Sequence, residues 1–209
     1  MKKLFAVIMA VLMMICMTGC EKNIKCDIVG TWSIDEKVDS NTKKKIVQAC
    51  GFSEEELEFT DENELFVVKT IKFDKKGNYI VAYDVEKTKE KIKDYFDKYV
   101  ETLHNNVDKL AEFYGEGSES TSVDEFKYFI ADACEFETFD EFTDAVSGEI
   151  VSGYLGNDAT VEKGTYTEQN GNLVLTDATG EITTVGLDAK QDKLTLKYSD
   201  GEEEYTKVK

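Results

Sequence analysis

The chain contains no arginine and no proline, and it has a single histidine and a single tryptophan. Its 25 basic side chains are therefore all lysines, set against 43 acidic ones, for a formal net charge of −18. A polypeptide so negative is repelled by phosphate backbones and by anionic headgroups, which excludes nucleic acid as a partner. The lone histidine, His104, has no second histidine with which to hold a metal, and no Ser–His–Asp or Cys–His spacing surrounds it. It reads as a partly exposed helix residue. Cys-x-x-Cys is absent, so zinc knuckles and thioredoxin-like chemistry have no support. No nucleophile elbow, P-loop or dinucleotide fingerprint occurs. Gly115-Glu116-Gly117-Ser118 is glycine-rich but negative, the wrong charge for cradling phosphate. The acidic runs Glu54-Glu55-Glu56 and Glu202-Glu203-Glu204 lack the spacing of a calcium loop and read as solvated faces. Without any of this chemistry the chain is expected not to be an enzyme, and to need no cofactor.

What is present begins at the N-terminus. Lys2 and Lys3 precede an almost unbroken apolar run, Leu4 to Met17, which is long enough for a signal sequence and too short to span a bilayer comfortably. Met17-Thr18-Gly19-Cys20 follows. This resembles the lipobox of bacterial lipoproteins, in which the cysteine thiol is lipidated and the leader is cut just before it. The resemblance implies a signal peptide over 1–19, a lipid on Cys20, a polar tether over 20–27, and residence on the extracytoplasmic face of a cell membrane. Loss of the two leader lysines takes the net charge to −20, so the lipid must hold the protein without a basic patch. The lack of arginine and proline fits a lysine-biased, AT-rich genome and favours a Gram-positive source. Cys26, Cys50 and Cys134 remain beyond Cys16 and Cys20. Three thiols cannot all pair within one chain; a Cys50–Cys134 disulfide and buried free thiols are both open.

Strand character starts at Ile28 and includes Gly30-Thr31-Trp32. One or two short helices follow over 43–58, broken at Gly51, with Ser53 and Glu56 as a capping box for the second. Leu65 to Phe73 and Asn78 to Val85 read as a hairpin turning at Lys75-Lys76-Gly77. The period then changes to three and four. Ile92, Phe96, Tyr99, Leu103, Val107, Leu110 and Tyr114 make one face of a long amphipathic helix over 87–114. Gly115 to Thr121 breaks it. Ser122 can cap a second helix carrying Val123, Phe126, Ile130 and Ala133, and a third spans Phe139 to Val151 with Phe139, Phe142 and Val146. Five more strands follow, turning at Asn170-Gly171, Thr179-Gly180, Lys190-Gln191-Asp192 and Asp200-Gly201. Asn-Gly and Asp-Gly between alternating runs are strong hairpin signals.

Eight sequential strands leave two open edges unless they close. Gly30-Thr31-Trp32 resembles the Gly-x-Trp signature on the first strand of lipocalins and lipocalin-like bacterial domains, and the run from Gly164 to Lys209 looks like the tail of such domains. The resemblance covers residues 28–85 and 161–208. It implies a mainly β fold with a helical insertion (α+β): an eight-stranded antiparallel lipocalin-like barrel over 28–209, with a three-helix block over 87–152 between strands 3 and 4. The block, with Phe126, Phe129, Phe139 and Phe142 on its shorter helices, is expected to pack together and cover the barrel as a lid. Strand phase puts Phe73, Tyr79, Tyr83, Tyr166, Leu175, Leu196 and Tyr198 toward the lumen, with Val81, Leu173, Val185, Leu187 and Leu194. Such a barrel is just wide enough to be filled by its own side chains or to hold one small ligand. Two functions follow. One is binding of a small apolar or amphipathic ligand, with tyrosine hydroxyls orienting it. The other is a filled barrel serving as an interaction or structural lipoprotein for another envelope protein; an exposed aromatic patch on the helical block would mark it.

Overall fold

A computed structural model describes residues 28–60, 62–108, 122–155 and 159–209. Cys20, Cys26, the leader and the tether lie outside them, as do Leu110, Tyr114 and the break at 115–121. Thirteen elements are described: β1 (Gly30–Lys37), α1 (Ser40–Ala49), α2 (Glu54–Thr60), β2 (Phe66–Phe73), β3 (Asn78–Tyr83), α3 (Val85–Asn105), α4 (Val123–Ala133), α5 (Phe139–Leu155), β4 (Thr160–Gln169), β5 (Asn172–Asp177), β6 (Ile182–Lys190), β7 (Lys193–Lys197) and β8 (Glu202–Lys207). The eight strands form a closed antiparallel barrel in chain order, with α3, α4 and α5 between the third and fourth strands. Val208 N–H donates to the Thr31 carbonyl at 2.9 Å where β8 meets β1. None of the described helices is long and apolar enough to cross a membrane.

Turn chemistry sets the strand register. Asn170 (φ 52°) and Gly171 (φ 76°) are both left-handed, the conformation a two-residue hairpin needs, and Gln169 pairs with Asn172 across it. At the β2–β3 and β5–β6 turns one carboxylate does the same work twice. Asp74 accepts the backbone N–H groups of Lys76 and Asn78, both at 2.8 Å. Asp177 accepts those of Thr179 and Glu181, also at 2.8 Å. In each the fourth residue is a glycine at positive φ, Gly77 or Gly180. These Asp-x-x-Gly turns begin earlier than the glycine-centred reading of the sequence placed them, because an aspartate can fold its own backbone without an Asn-Gly pair.

The chain divides into two units. Of the described residues, one takes those up to Trp32, Ile71–Ile80 and Glu162–Lys209; the other takes those within Ser33–Thr70 and Val81–Val161. In the first, alternate residues of the strands are buried: Phe73, Tyr79, Tyr166, Leu173, Val185, Leu194, Leu196 and Tyr205. Register stacks them in pairs, Tyr166 opposite Leu175, Leu173 opposite Val185, Leu194 opposite Tyr205. Trp32 is fully buried, its indole N–H donating to the Ile28 carbonyl at 2.7 Å, with the Lys207 ammonium 5.0 Å from the ring centroid. Gly30 precedes it at φ 142°, a backbone conformation that L side chains rarely adopt. Gly-x-Trp is thus a glycine forced by backbone followed by a buried anchor.

In the second unit α3, α4 and α5 pack on one another. Ile92, Phe96, Tyr99 and Leu103 of the expected apolar face are buried, with Tyr95 and Val100 added. Phe52 meets Tyr99 edge-on at 4.7 Å, and Phe96 meets Phe142 at 5.9 Å. Val38, Val47, Leu65 and Val67 share this core. The expected capping box at Ser53 forms, and the expected cap at Ser122 is a full capping box as well. Ser53 N–H donates to Glu56 at 2.6 Å, and Ser122 N–H to Glu125 at 2.9 Å. α1, broken from α2 at Gly51 (φ 91°), starts earlier than expected because Asp39 caps it, accepting from Asn41 and Thr42 N–H at 3.1 Å. The face of α4 differs from expectation. Ala131 is its buried residue, Ala133 is exposed, and Phe129 is 54 % exposed. Only Phe126 and Ile130 of the expected set pack on the core, so this short helix is seated by one narrow edge.

Candidate functional site

Among the described residues, function can rest on the barrel residues chosen by strand phase or on either of two clefts among the helices. In the first unit the barrel residues pack on each other. The Phe73 ring meets Tyr166 edge-on at 4.9 Å and lies 6.5 Å from Tyr79. The tyrosine hydroxyls are engaged. Tyr166 O–H donates to the Asp74 carbonyl at 2.7 Å, and Tyr79 O–H donates to the Glu162 carboxylate. Burial pushes the Tyr79 hydroxyl above its ordinary range, and the Glu162 hydrogen bond adds to this, so it remains a donor. Tyr198 is shifted the same way, first by burial and then by Glu203. Leu175 and Leu196 are buried, while Tyr198 is half-buried. Tyr83 belongs elsewhere: half-buried, it packs against the aromatic core of the second unit. Strand phase alone could not separate it from Tyr79 and Tyr166, because all three point inward along their strands. Tyr205 and Ile71, buried in the same unit as the barrel residues, were not among those chosen.

The first cleft, of about 370 Å³, lies between α1 and α5. Ile46, Ala49, Val146 and Ile150 make its apolar lining; Thr42, Lys45, Cys50 and Glu149 supply polar atoms. Burial pushes the Cys50 thiol up to about 12, so it faces the cleft as a neutral, weakly polar group. Cys134, half-buried against the same core, is shifted up by burial too, and both carry free thiols.

The second cleft, of about 360 Å³, lies among α3, α4 and the start of α5, and is strongly acidic: Asp97, Asp124, Glu137 and Asp140 line it with Tyr128 and Phe139. Lys127 pairs with Asp97 and sits 5.2 Å from the Phe139 ring centroid, so the cleft already holds one ammonium against a ring. Beside it Tyr128 and Phe129, 55 % and 54 % exposed, meet edge-on with centroids 6.2 Å apart. The sequence signal for this patch was the Phe-Lys-Tyr-Phe run at 126–129, which puts aromatics on more than one face of a helix. His104 is half-buried with its ring edge on Phe126 at 5.7 Å. Among the described residues no group of histidine, cysteine or carboxylate side chains could hold a metal ion.

Comparison of the chain with protein-family models, with curated proteins and with solved structures finds no match. The molecule is therefore defined by its own geometry: a closed eight-stranded antiparallel barrel carrying a three-helix block between its third and fourth strands.

Proposed function

We propose that this chain is a lipocalin-like lipoprotein of a bacterial cell envelope, held at the membrane by lipid on Cys20, and that it works as a non-enzymatic interaction module. The exposed edge-to-face pair Tyr128–Phe129 beside the acidic cleft carries this reading. Two large rings left in water on an acidic, soluble chain are costly unless something covers them. The carboxylates around them select a partner surface that presents lysine or arginine next to apolar side chains. The packed rings and engaged hydroxyls of Phe73, Tyr79 and Tyr166 favour a filled barrel over a ligand in the lumen.

Two experiments test this. A photo-crosslinking residue in place of Asp132, exposed on α4 one turn beyond Tyr128, should trap one basic envelope protein in intact cells, and adding Tyr128→Ser with Phe129→Ser should abolish the product. An unchanged crosslink in the double variant rejects the patch. Separately, Cys20→Ser should stop incorporation of labelled palmitate and removal of residues 1–19. Normal maturation of that variant rejects the anchor.

A further inference from the structure

The cleft between α1 and α5 plays no part in that surface, and its chemistry is different. Ile46, Val146 and Ile150 line a space of about 370 Å³, and one basic and one acidic side chain, Lys45 and Glu149, stand on it together. Both are exposed, and neither has an ion pair among the described residues. The volume is at the small end of the ~300–1,000 Å³ usual for small-molecule sites, which suits a branched aliphatic or single-ring body and excludes a long acyl chain. The charges choose the head. An anion would gain Lys45 but face Glu149 and the field of a chain carrying −18. A cation would gain Glu149 but face Lys45. A molecule bearing both an ammonium and a carboxylate satisfies the two at once, while its apolar body displaces water from the lining.

We propose that the cleft between α1 and α5 binds a small, net-neutral zwitterion with an apolar body: a free apolar amino acid or a short apolar peptide. The carboxylate of the ligand pairs with Lys45 and its ammonium with Glu149. Gly153, on α5, offers a way to close the site. Apart from its chain neighbours and its own helix backbone, no described atom lies within 4 Å of where its Cβ would stand, so a side chain there starts into open space at the edge of the cleft.

Isothermal titration of the full-length protein with L-leucine and with leucyl-leucine distinguishes the two sources, and whichever binds identifies the class. N-acetyl-leucine, lacking the ammonium, and leucinamide, lacking the carboxylate, should each bind at least about tenfold more weakly. Glu149→Gln should remove the discrimination against N-acetyl-leucine, and Lys45→Gln that against leucinamide; both residues are exposed, so neither change should disturb folding. Gly153→Trp, with unchanged circular dichroism, should weaken binding of the zwitterion by at least about tenfold. The proposal is overturned if neither zwitterion gives a heat up to its solubility limit. It is equally overturned if N-acetyl-leucine binds as well as leucine, or if the Lys45 and Glu149 variants leave the discrimination unchanged.

Discussion

Around Trp32 burial is organised by the sheet; around Phe96 it is organised by rings meeting between helices. In the first unit each buried side chain has its place set by register, and the buried polar atoms beside them are spent on fixed partners, Trp32 on Ile28 and Tyr166 on Asp74. In the second, Phe52, Tyr95, Phe96, Tyr99 and Phe142 meet at mixed angles with centroids 4.7–6.3 Å apart. A strand must lay every second residue on its neighbour, so a closed sheet leaves few gaps. A helix seals only the stripe that touches its partner, and the channels beside the stripe stay open. Both candidate clefts, and the exposed Tyr128–Phe129 pair, accordingly lie in the helical unit.

The largest effects should come from the anchors of the two cores, and they should differ in kind. Trp32→Ala is expected to cost ~3–5 kcal/mol in chemical denaturation, and Phe96→Ala about the same. The conservative changes should separate the units. Trp32→Phe leaves the buried Ile28 carbonyl without its donor and should cost ~1–3 kcal/mol beyond the lost volume. Phe96→Leu breaks no hydrogen bond and should stay below ~1.5 kcal/mol if neighbouring rings repack. Equal losses for the two conservative variants would break the contrast between a register-fixed and a ring-packed core.

Close approach of strands gives the next test. A Cβ on Gly164 would run into the backbone of Thr176 on β5, because Gly164 stands opposite Asp177 where the two strands come together. Gly164→Ala should therefore destabilise by ~1–3 kcal/mol. Gly148, on α5, has nothing within 4 Å of its Cβ position, so Gly148→Ala should stabilise by ~0.5–1 kcal/mol through helix propensity alone. The same substitution thus carries opposite signs in the two units. A stabilising Gly164→Ala in thermal melts would mean that β4 can move off β5 at little cost.

The strands, their turns and the helical block were legible because each is a local pattern. Asn170-Gly171 could be little else than a tight hairpin, and the spacing of Ile92, Phe96, Tyr99 and Leu103 is that of a helix face. The site was less legible because it depends on which inward residues share a core. Tyr79 and Tyr83 have the same phase on β3, yet Tyr79 lies in one unit and Tyr83 packs in the core of the other. Phe129 was counted among the apolar residues that packing of the block would cover, but it is Phe126, Ile130 and Ala131 of α4 that pack on the core, and Phe129 stays 54 % exposed. The groove at Lys45 and Glu149 joins two helices roughly a hundred residues apart in sequence, and no local pattern announces such a meeting.

The smallest expected effect is one of pH, and it bears on how the sheet holds its turns. The side chain and backbone of Asn78 hold the Asp74 carboxyl below its ordinary range by hydrogen bonding to the charged form. The Thr179 side chain, then the backbone N–H of Glu181, do the same for Asp177. A carboxyl lowered in the folded state contributes stability that is fully present above its unfolded value, ~3.9, and is lost as pH falls through the lower folded value. Denaturation midpoints should therefore be flat with respect to these two groups near neutral pH and should fall below pH ~4. Asp39, at the cap of α1, is lowered by Thr42 in the same way and gives the matching probe in the helical unit. Asp39 is exposed and Asp74 and Asp177 are half-buried at the surface, so salt should weaken each effect. Asp74→Asn and Asp177→Asn remove the ionisable group while keeping an acceptor oxygen for the turn N–H groups. Each should flatten the acid limb of the stability curve and lower the midpoint at neutral pH only slightly. An acid limb unchanged in the double variant would mean that other carboxylates govern acid unfolding and that the Asp-x-x-Gly turns hold by backbone geometry alone.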